Sequence, residues 1–202
     1  GWSKPCISIG YFQSTDDINY KKCLEQNIDV VRRITGGGAV FHDMELTYSF
    51  VTKNFPQSIL ESYKEISEIV IQALKKLGLD AKFSPLNDVT VNEKKVCGNA
   101  QTRKNNTLLQ HGTILLKVDF EKMFSLLSVP IEKISDKKIS DVKDRVVGIS
   151  KTFDQVSEAL KDSTSDVFGC KLVSYTLNQE ELKSCQKLAD EKFSTNNWLL
   201  KR

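Results

Sequence analysis

Three short segments of this sequence concentrate residue types that hold anions. The first is Arg32-Arg33-Ile34-Thr35-Gly36-Gly37-Gly38-Ala39-Val40-Phe41-His42-Asp43. Three consecutive glycines are costly in backbone entropy, so something must require a positive φ or a bare backbone close to another group. N–H groups exposed in such a loop form a nest for an anion such as a phosphate, and the bare backbone also admits a planar ring. Arg33 beside them offers a planar fork for phosphate or carboxylate. A flexible hairpin turn is the plain alternative. The loop matches neither G-x-G-x-x-G nor G-x-x-x-x-G-K-[ST], so neither of those nucleotide-binding fingerprints is supported.

The second segment is Asn87-Asp88-Val89-Thr90-Val91 followed by Lys94-Lys95-Val96-Cys97-Gly98-Asn99-Ala100-Gln101. Strand alternation puts Val96 and Gly98 on the face opposite Lys95, which leaves Lys95 to point into a cleft and hold an anion as a compact charge. A solvated surface lysine is the competing reading. The third segment is Gln110-His111-Gly112-Thr113-Ile114-Leu115-Leu116. His42 and His111 are the two histidines of the chain, and each adjoins one of these segments. Each alone reads first as a hydrogen-bonded structural histidine, and no third ligand at a recognisable spacing makes them a metal pair.

These segments need a scaffold, and the rest of the chain supplies the pattern for one. The 202 residues are 40% hydrophobic and 27% charged, enough for one domain with its own core. No apolar run approaches the roughly 20 residues of a bilayer span, and no basic-then-hydrophobic leader is visible in GWSKPCISIGYFQ. A net charge of +3, evenly spread, argues against a nucleic-acid surface. Five cysteines without a C-x-x-C pair read as reduced thiols in a cytoplasmic protein. A helix is expected from Ser58, with Ser58 and Glu61 as a capping box, apolar residues at spacings of three and four, and Gly78 as its stop. Further helices are expected at Ile18–Gln26, Phe120–Leu127, Phe153–Lys161 and Gln179–Phe193. Strands are expected at Ile7–Phe12, Val30–Arg33, Leu46–Thr52, Val89–Val91, Lys95–Gln101 and Leu108–Val118, several joined by tight turns at Asn92-Glu93 and Lys104-Asn105-Asn106. Strands joined so closely pair antiparallel. The expected fold class is therefore α+β, a mostly antiparallel or mixed sheet with packed helices, over 1–202 as a single domain.

Taken together and in this order, RRITGGGAVFHD, NDVTVNEKKVCGNAQ and QHGTILL resemble the lipoate–protein ligase family, part of the biotin/lipoate ligase fold group with its class II synthetase-like catalytic domain. ISIGYFQ near the start and LNQEELKSCQKLADEKFSTNNW near the end resemble it too. The resemblance implies an ATP-dependent lipoate–protein ligase, in which lipoate attacks the α-phosphate of ATP and lipoyl-AMP then acylates an acceptor lysine. The implied acceptors are the lipoyl domains of 2-oxoacid dehydrogenase complexes and the glycine cleavage H protein. By the same resemblance Lys95 is the catalytic residue, contacting carboxylate and phosphate. Arg33, Thr35, Gly36, Gly37 and Gly38 line the adenylate and lipoyl pocket, and Gly38, Ala39, Val40 and Phe41 bind the nucleotide. Asn87, Asp88, His111 and Thr113 are further candidates for ribose, phosphate or Mg²⁺, with Asp88 as the metal ligand.

The family's usual first elements and C-terminal accessory domain are missing from the chain, so the resemblance also points to a small catalytic subunit that works with a separate accessory subunit. Two alternatives accompany this reading. Octanoyltransferases of the same fold group work through a cysteine thioester, with the cysteine either in the loop before the lysine strand or well after the H-G motif. Here Phe83–Val96 has no cysteine, none lies between Cys97 and Cys170, and Cys97 is expected to face away from Lys95 like a serine or alanine replacement. An inactive domain that only binds lipoate or a partner is the other.

Overall fold

The structure, a computed structural model, describes residues 1–127 and 143–201. They fall into two compact units, one of Trp2–Asp43 with residues 122–127 and 173–201, the other of Met44–Glu121 with Gly1 and residues 143–172.

The first unit opens with β1 (Cys6–Ile9), α1 (Tyr20–Glu25), β2 (Asp29–Arg32) and β3 (Val40–His42). β1 is central in a three-stranded sheet, parallel to β2 and antiparallel to β3. α1, capped by the Asn19 side chain accepting from the Lys22 N–H, lies in the crossover that a parallel pair requires. All four residues of β1 are buried, as a central strand covered on both faces must be. The strand expected to reach Phe12 stops at Ile9, because the chain turns at Gly10 and the Tyr11 N–H donates to Thr35 O at 2.8 Å.

The second unit carries β4 (Glu45–Thr52), α2 (Ile59–Lys76), β5 (Ala81–Ser84), β6 (Asp88–Val91), β7 (Lys94–Lys104) and β8 (Thr107–Leu115). The five strands form an antiparallel sheet in the order β4-β8-β7-β6-β5. Both expected tight turns are present, with Asn92, Glu93, Asn105 and Asn106 all at positive φ, the geometry whose twist suits a two-residue hairpin. α3 (Phe120–Leu126) follows β8, and its Leu126 joins the core of the first unit. α4 (Phe153–Phe168) packs beside α2 on one face of the five-stranded sheet.

Period-two alternation decides what each sheet face presents. Leu46, Tyr48 and Phe50 of β4, Leu108, Gln110 and Ile114 of β8, and Cys97 and Asn99 of β7 point to the helices. The intervening residues point away. α2 begins as expected, with Ser58 Oγ accepting from the Glu61 N–H, and Gly78 follows it at φ +83°. The reciprocal half of a capping box is formed instead at α4, where Thr152 and Gln155 cap each other.

The chain returns to the first unit through α5 (Gln179–Leu188), a π-helical turn (Ala189–Phe193) and α6 (Asn196–Leu199). The single helix expected to Phe193 therefore changes its winding at Ala189, and α6 had no sequence forecast. No helix among the described residues is long and apolar enough to cross a membrane.

Candidate functional site

The glycine loop of the first unit is held by its own arginine. Arg33 Nη1 donates to Ser8 O at 2.8 Å and to Ser8 Oγ at 3.2 Å, and Nη2 donates to Gly36 O at 2.8 Å and Gly38 O at 2.7 Å. Burial pulls the Arg33 pKa down from its usual value, since the guanidinium has exchanged water for carbonyl oxygens. The fork expected to face a ligand thus grips the backbone around the triplet. Ser8 Oγ lies 2.7 Å from His42 Nε2, and Trp2 packs its ring 4.6 Å from that imidazole. His42 is a buried structural histidine.

The three glycines have different reasons. Gly37 sits at φ +94°, and a Cβ there would stand 3.0 Å from Arg33 Nη2. A Cβ on Gly36 or Gly38 would meet nothing within 4 Å, so these two leave the backbone bare without a demand from the fold. Gly10 is the glycine that the sequence alone did not single out. Its missing side chain admits Gly37, whose carbonyl oxygen would be 1.9 Å from a Cβ at position 10. Thr35 is buried, and Ala39 and Phe41 pack against the unit's core. Val40 pairs with Ser8 across β3 and β1. Arg32 was read only as part of the basic run, yet it is buried and donates to Gly10 O, Tyr11 O and Gln13 O through Nη1 and to Leu199 O through Nε and Nη2. Trp198 Nε1 donates back to Arg32 O at 2.8 Å, so α6 and the start of the glycine segment fix each other.

In the second unit, Lys95 Nζ lies 2.7 Å from Asp88 Oδ1, both side chains partly exposed. The Lys95 stem runs over Gly98, where a Cβ would come within 2.9 Å of Lys95 Cε. Gly98 pairs with Asp88 on one side and Thr113 on the other. The four residues therefore share one face, away from the helices, with His111 two residues along the same strand.

Here strict alternation misplaced a residue. It put Gly98 opposite Lys95, whereas the register shifts so that Thr90 pairs with Lys95 and Val89 with Cys97. Val96 is the extra residue of a bulge, and Val96 and Cys97 are both buried. An inserted residue reverses the facing of everything beyond it. Cys97 thereby faces the helices, away from Lys95 as expected for it, whereas unbroken alternation would have put residues 95 and 97 on one face. Burial pushes its thiol up to about 12, against a smaller lowering by Lys95. It is a packed, protonated thiol. The Lys95 backbone is held as well, with Val147 N–H donating to its carbonyl at 3.0 Å.

Asn87, expected near a ligand, is bound to Asn99. Its carbonyl accepts from Asn99 Nδ2 at 2.8 Å and from the Asn99 N–H at 3.1 Å, and its own amide donates to Asn99 O. Asp88, given to Mg²⁺ by the resemblance, is paired with the Lys95 ammonium, and among the described residues no group of three or more His, Cys, Asp or Glu is placed to hold a metal without substrate oxygens.

Residues 2–168 match the family model described as lipoyl protein ligase A/B catalytic domain. Octanoyltransferase LipM of Bacillus subtilis is 34% identical, with 100% of this chain and 85% of that protein aligned. Among solved structures, a bi-partite lipoate protein ligase from Thermoplasma acidophilum superposes with a TM-score of 0.91 at 31% identity, covering 98% of this chain and 80% of that one. Lipoate-protein ligase A bound with ATP does so with a TM-score of 0.85 at 27% identity, covering 98% and 82%. The α+β expectation and the family resemblance are borne out. The expected activity is not: relatives 31–34% identical over almost the whole chain are named octanoyltransferases, which sets aside the ATP-dependent lipoate ligase in favour of octanoyl transfer, the alternative weighed beside it. On the match across most of its length, the chain belongs to the lipoyl protein ligase A/B catalytic domain family.

Proposed function

We propose that this chain transfers an octanoyl-type acyl group from a thioester donor, an acyl-carrier protein, to the ε-amine of a lysine on a lipoyl domain or glycine cleavage H protein. The observation that carries this reading is the similarity along the whole chain to relatives named octanoyltransferases, at 34% identity with all of this chain aligned. A thioester is already activated, so the reading needs no ATP. The amine attacks the thioester carbonyl, the C–N bond forms as the C–S bond breaks, and the proton lost from nitrogen ends on the departing thiol.

Lys95 is assigned the developing oxyanion. Its ammonium is a fixed positive charge over a bare glycine, held by Asp88, and charge placed before the reaction stabilises the transition state without reorganisation. Thr113 and His111 border the same face. The backbone of Gly36–Gly38 is assigned to the acyl donor, because the space a Cβ would take at Gly36 and at Gly38 is open to 4 Å. Cys97 is given no covalent role. A thiol with a pKa of about 12 behind the sheet lacks both the thiolate and the access a nucleophile needs.

Mass spectrometry of a lipoyl acceptor domain incubated with octanoyl-carrier protein and no nucleotide tests the reading. Acylation of one acceptor lysine is expected with the wild type and with Cys97→Ser, and a loss of roughly 10²-fold or more with Lys95→Ala. Absence of transfer from the thioester by the wild type would overturn the reading, and undiminished transfer by Lys95→Ala would remove that residue from it.

A further inference from the structure

Behind the face that carries Lys95 runs a chain of partly buried side-chain hydrogen bonds, pointing one way from Gln101 to Asn87. Arg103 Nη2 donates to Ser62 Oγ at 2.7 Å, and Ser62 Oγ lies 3.0 Å from Gln101 Oε1. Gln101 Nε2 donates to Gln110 Oε1 at 2.7 Å, Gln110 Nε2 to Tyr48 Oη at 2.8 Å, and Tyr48 Oη to Asn99 Oδ1 at 2.6 Å. Asn99 Nδ2 then donates to the carbonyl of Asn87, the residue before Asp88. Gln110 and Asn99 are 0% and 4% exposed, so neither amide can turn to water for a partner. Each link fixes the orientation of the next: Tyr48 has one proton to give, and burial keeps its hydroxyl protonated by raising its pKa well above 10. Aligned donors polarise one another and strengthen the chain as a unit.

The family match does not explain why this sheet needs such a chain, since leucine or valine would fill the same positions with less risk of an unsatisfied group. What the chain reaches does explain it. Asn99 grips Asn87 through its amide and its N–H, and Asn87 grips Asn99 O in return. Leu86, just before, is at φ +85°, so the entry to β6 is a turn whose last residue is held by this grip, one bond of it from the Asn99 side chain and two through the Asn99 backbone. Asp88 follows directly, across from Gly98 and under the Lys95 ammonium.

We infer that Asn99 is a positioning residue for Lys95: from the far side of the sheet its amide locks Asn87, which sets Asp88 and through it the ammonium, with Tyr48 as the donor that holds the amide in the working orientation. The inference rests on the acyl-transfer reading only for its kinetic arm.

Asn99→Asp tests it with no change of shape. The variant still accepts from Tyr48 but presents an oxygen to the Asn87 carbonyl. A crystal structure should show the Asp88 carboxylate displaced from Lys95, and kcat should fall roughly 10- to 100-fold with KM little changed, the size of effect that a misplacement of about 1 Å has on chemistry. Tyr48→Phe, which keeps the ring and removes only the link, should fold in any case and lower kcat in the same direction. In the Lys95→Ala background, Asn99→Asp should cost nothing further in kcat, because an effect delivered through Lys95 vanishes with it. An equal loss in both backgrounds would overturn the inference by making Asn99 merely structural, as would an unchanged Asp88–Lys95 contact in the Asn99→Asp crystal. If the wild type transfers no acyl group at all, the proposed function fails while the crystallographic arm still decides the inference.

Discussion

Placing a methyl group on Gly10 separates what the glycine loop needs for folding from what it needs for its ligand. In Gly10→Ala the new Cβ would lie 1.9 Å from Gly37 O and 2.9 Å from Gly37 C. Both are backbone atoms, so no side chain can swing aside. To restore 3.0 Å, the closest approach a Cβ ordinarily makes, the two segments must part by about 1.1 Å. That parting works against the Tyr11 N–H to Thr35 O bond at 2.8 Å and the Arg33 bonds to Gly36 O and Gly38 O. Overpacking of this kind costs about 1–3 kcal/mol, and a shift of about 1 Å at a substrate-facing loop costs on the order of 10²-fold in rate. Thermal unfolding and the carrier-to-acceptor transfer assay should therefore both register the change. Gly36→Ala is the matched control, because its Cβ meets nothing within 4 Å. Its stability should stay within about 0.5 kcal/mol of the wild type, while transfer falls if the bare backbone is where the donor lies. Wild-type stability and activity in Gly10→Ala would refute the account of the loop, and full activity in Gly36→Ala would refute its assignment to substrate.

Three further outcomes follow from buried and half-buried groups away from the reacting face. The Cys97 thiol is raised by burial from 9.0 to about 12, so its contribution to stability is complete below pH 9 and is lost as pH rises toward 12, at up to about 1.4 kcal/mol per pH unit. Denaturant unfolding above pH 9 should show wild type losing stability faster than Cys97→Ser; parallel curves would contradict the buried thiol. Trp198→Ala removes the donor to Arg32 O and the ring contacts with Tyr11 and Phe193, a loss of roughly 2 kcal/mol for a half-buried indole. Deleting residues 196–202 should cost more in the same calorimetric scan, because Arg32 then also loses Leu199 O as the acceptor of Nε and Nη2.

What the sequence showed plainly was periodic. The helix from Ser58 and the hairpins at Asn92-Glu93 and Asn105-Asn106 were legible because one signal, spacing or turn residue, decided each. β3 went unread because three residues are too few to show a period, β5 because AKFS lacks the β-branched residues that marked the other four-residue strands, and the π-helical turn at Ala189 has no residue pattern of its own. In the candidate site, residue types named the residues but not the contacts they make. Lys95 and Asp88 were both named, yet their pairing depends on the bulge at Val96, and a bulge is set by register across two strands rather than by either sequence. The RR doublet was read for charge, when Arg32 and Arg33 both have backbone carbonyls to satisfy. Asn99 and Gln110 stood in the quoted motifs without a role, since a hydrogen-bonded chain spanning β4, β7 and β8 leaves no trace in any one segment.

Gly112 carries a consequence for how this sheet can vary through evolution. A Cβ there would fall 2.2 Å from Asn99 Oδ1 and 2.4 Å from Tyr48 Cε1, so three neighbouring strands share a single small volume. Any side chain gained at 112 must be matched by a smaller residue at 48 or 99, and losing the amide at 99 releases Asn87. These positions are expected to change together or not at all, a covariation that compares sequences across the family without an assay, and one that ties the glycine of the H-G pair to a tyrosine 64 residues earlier in the chain.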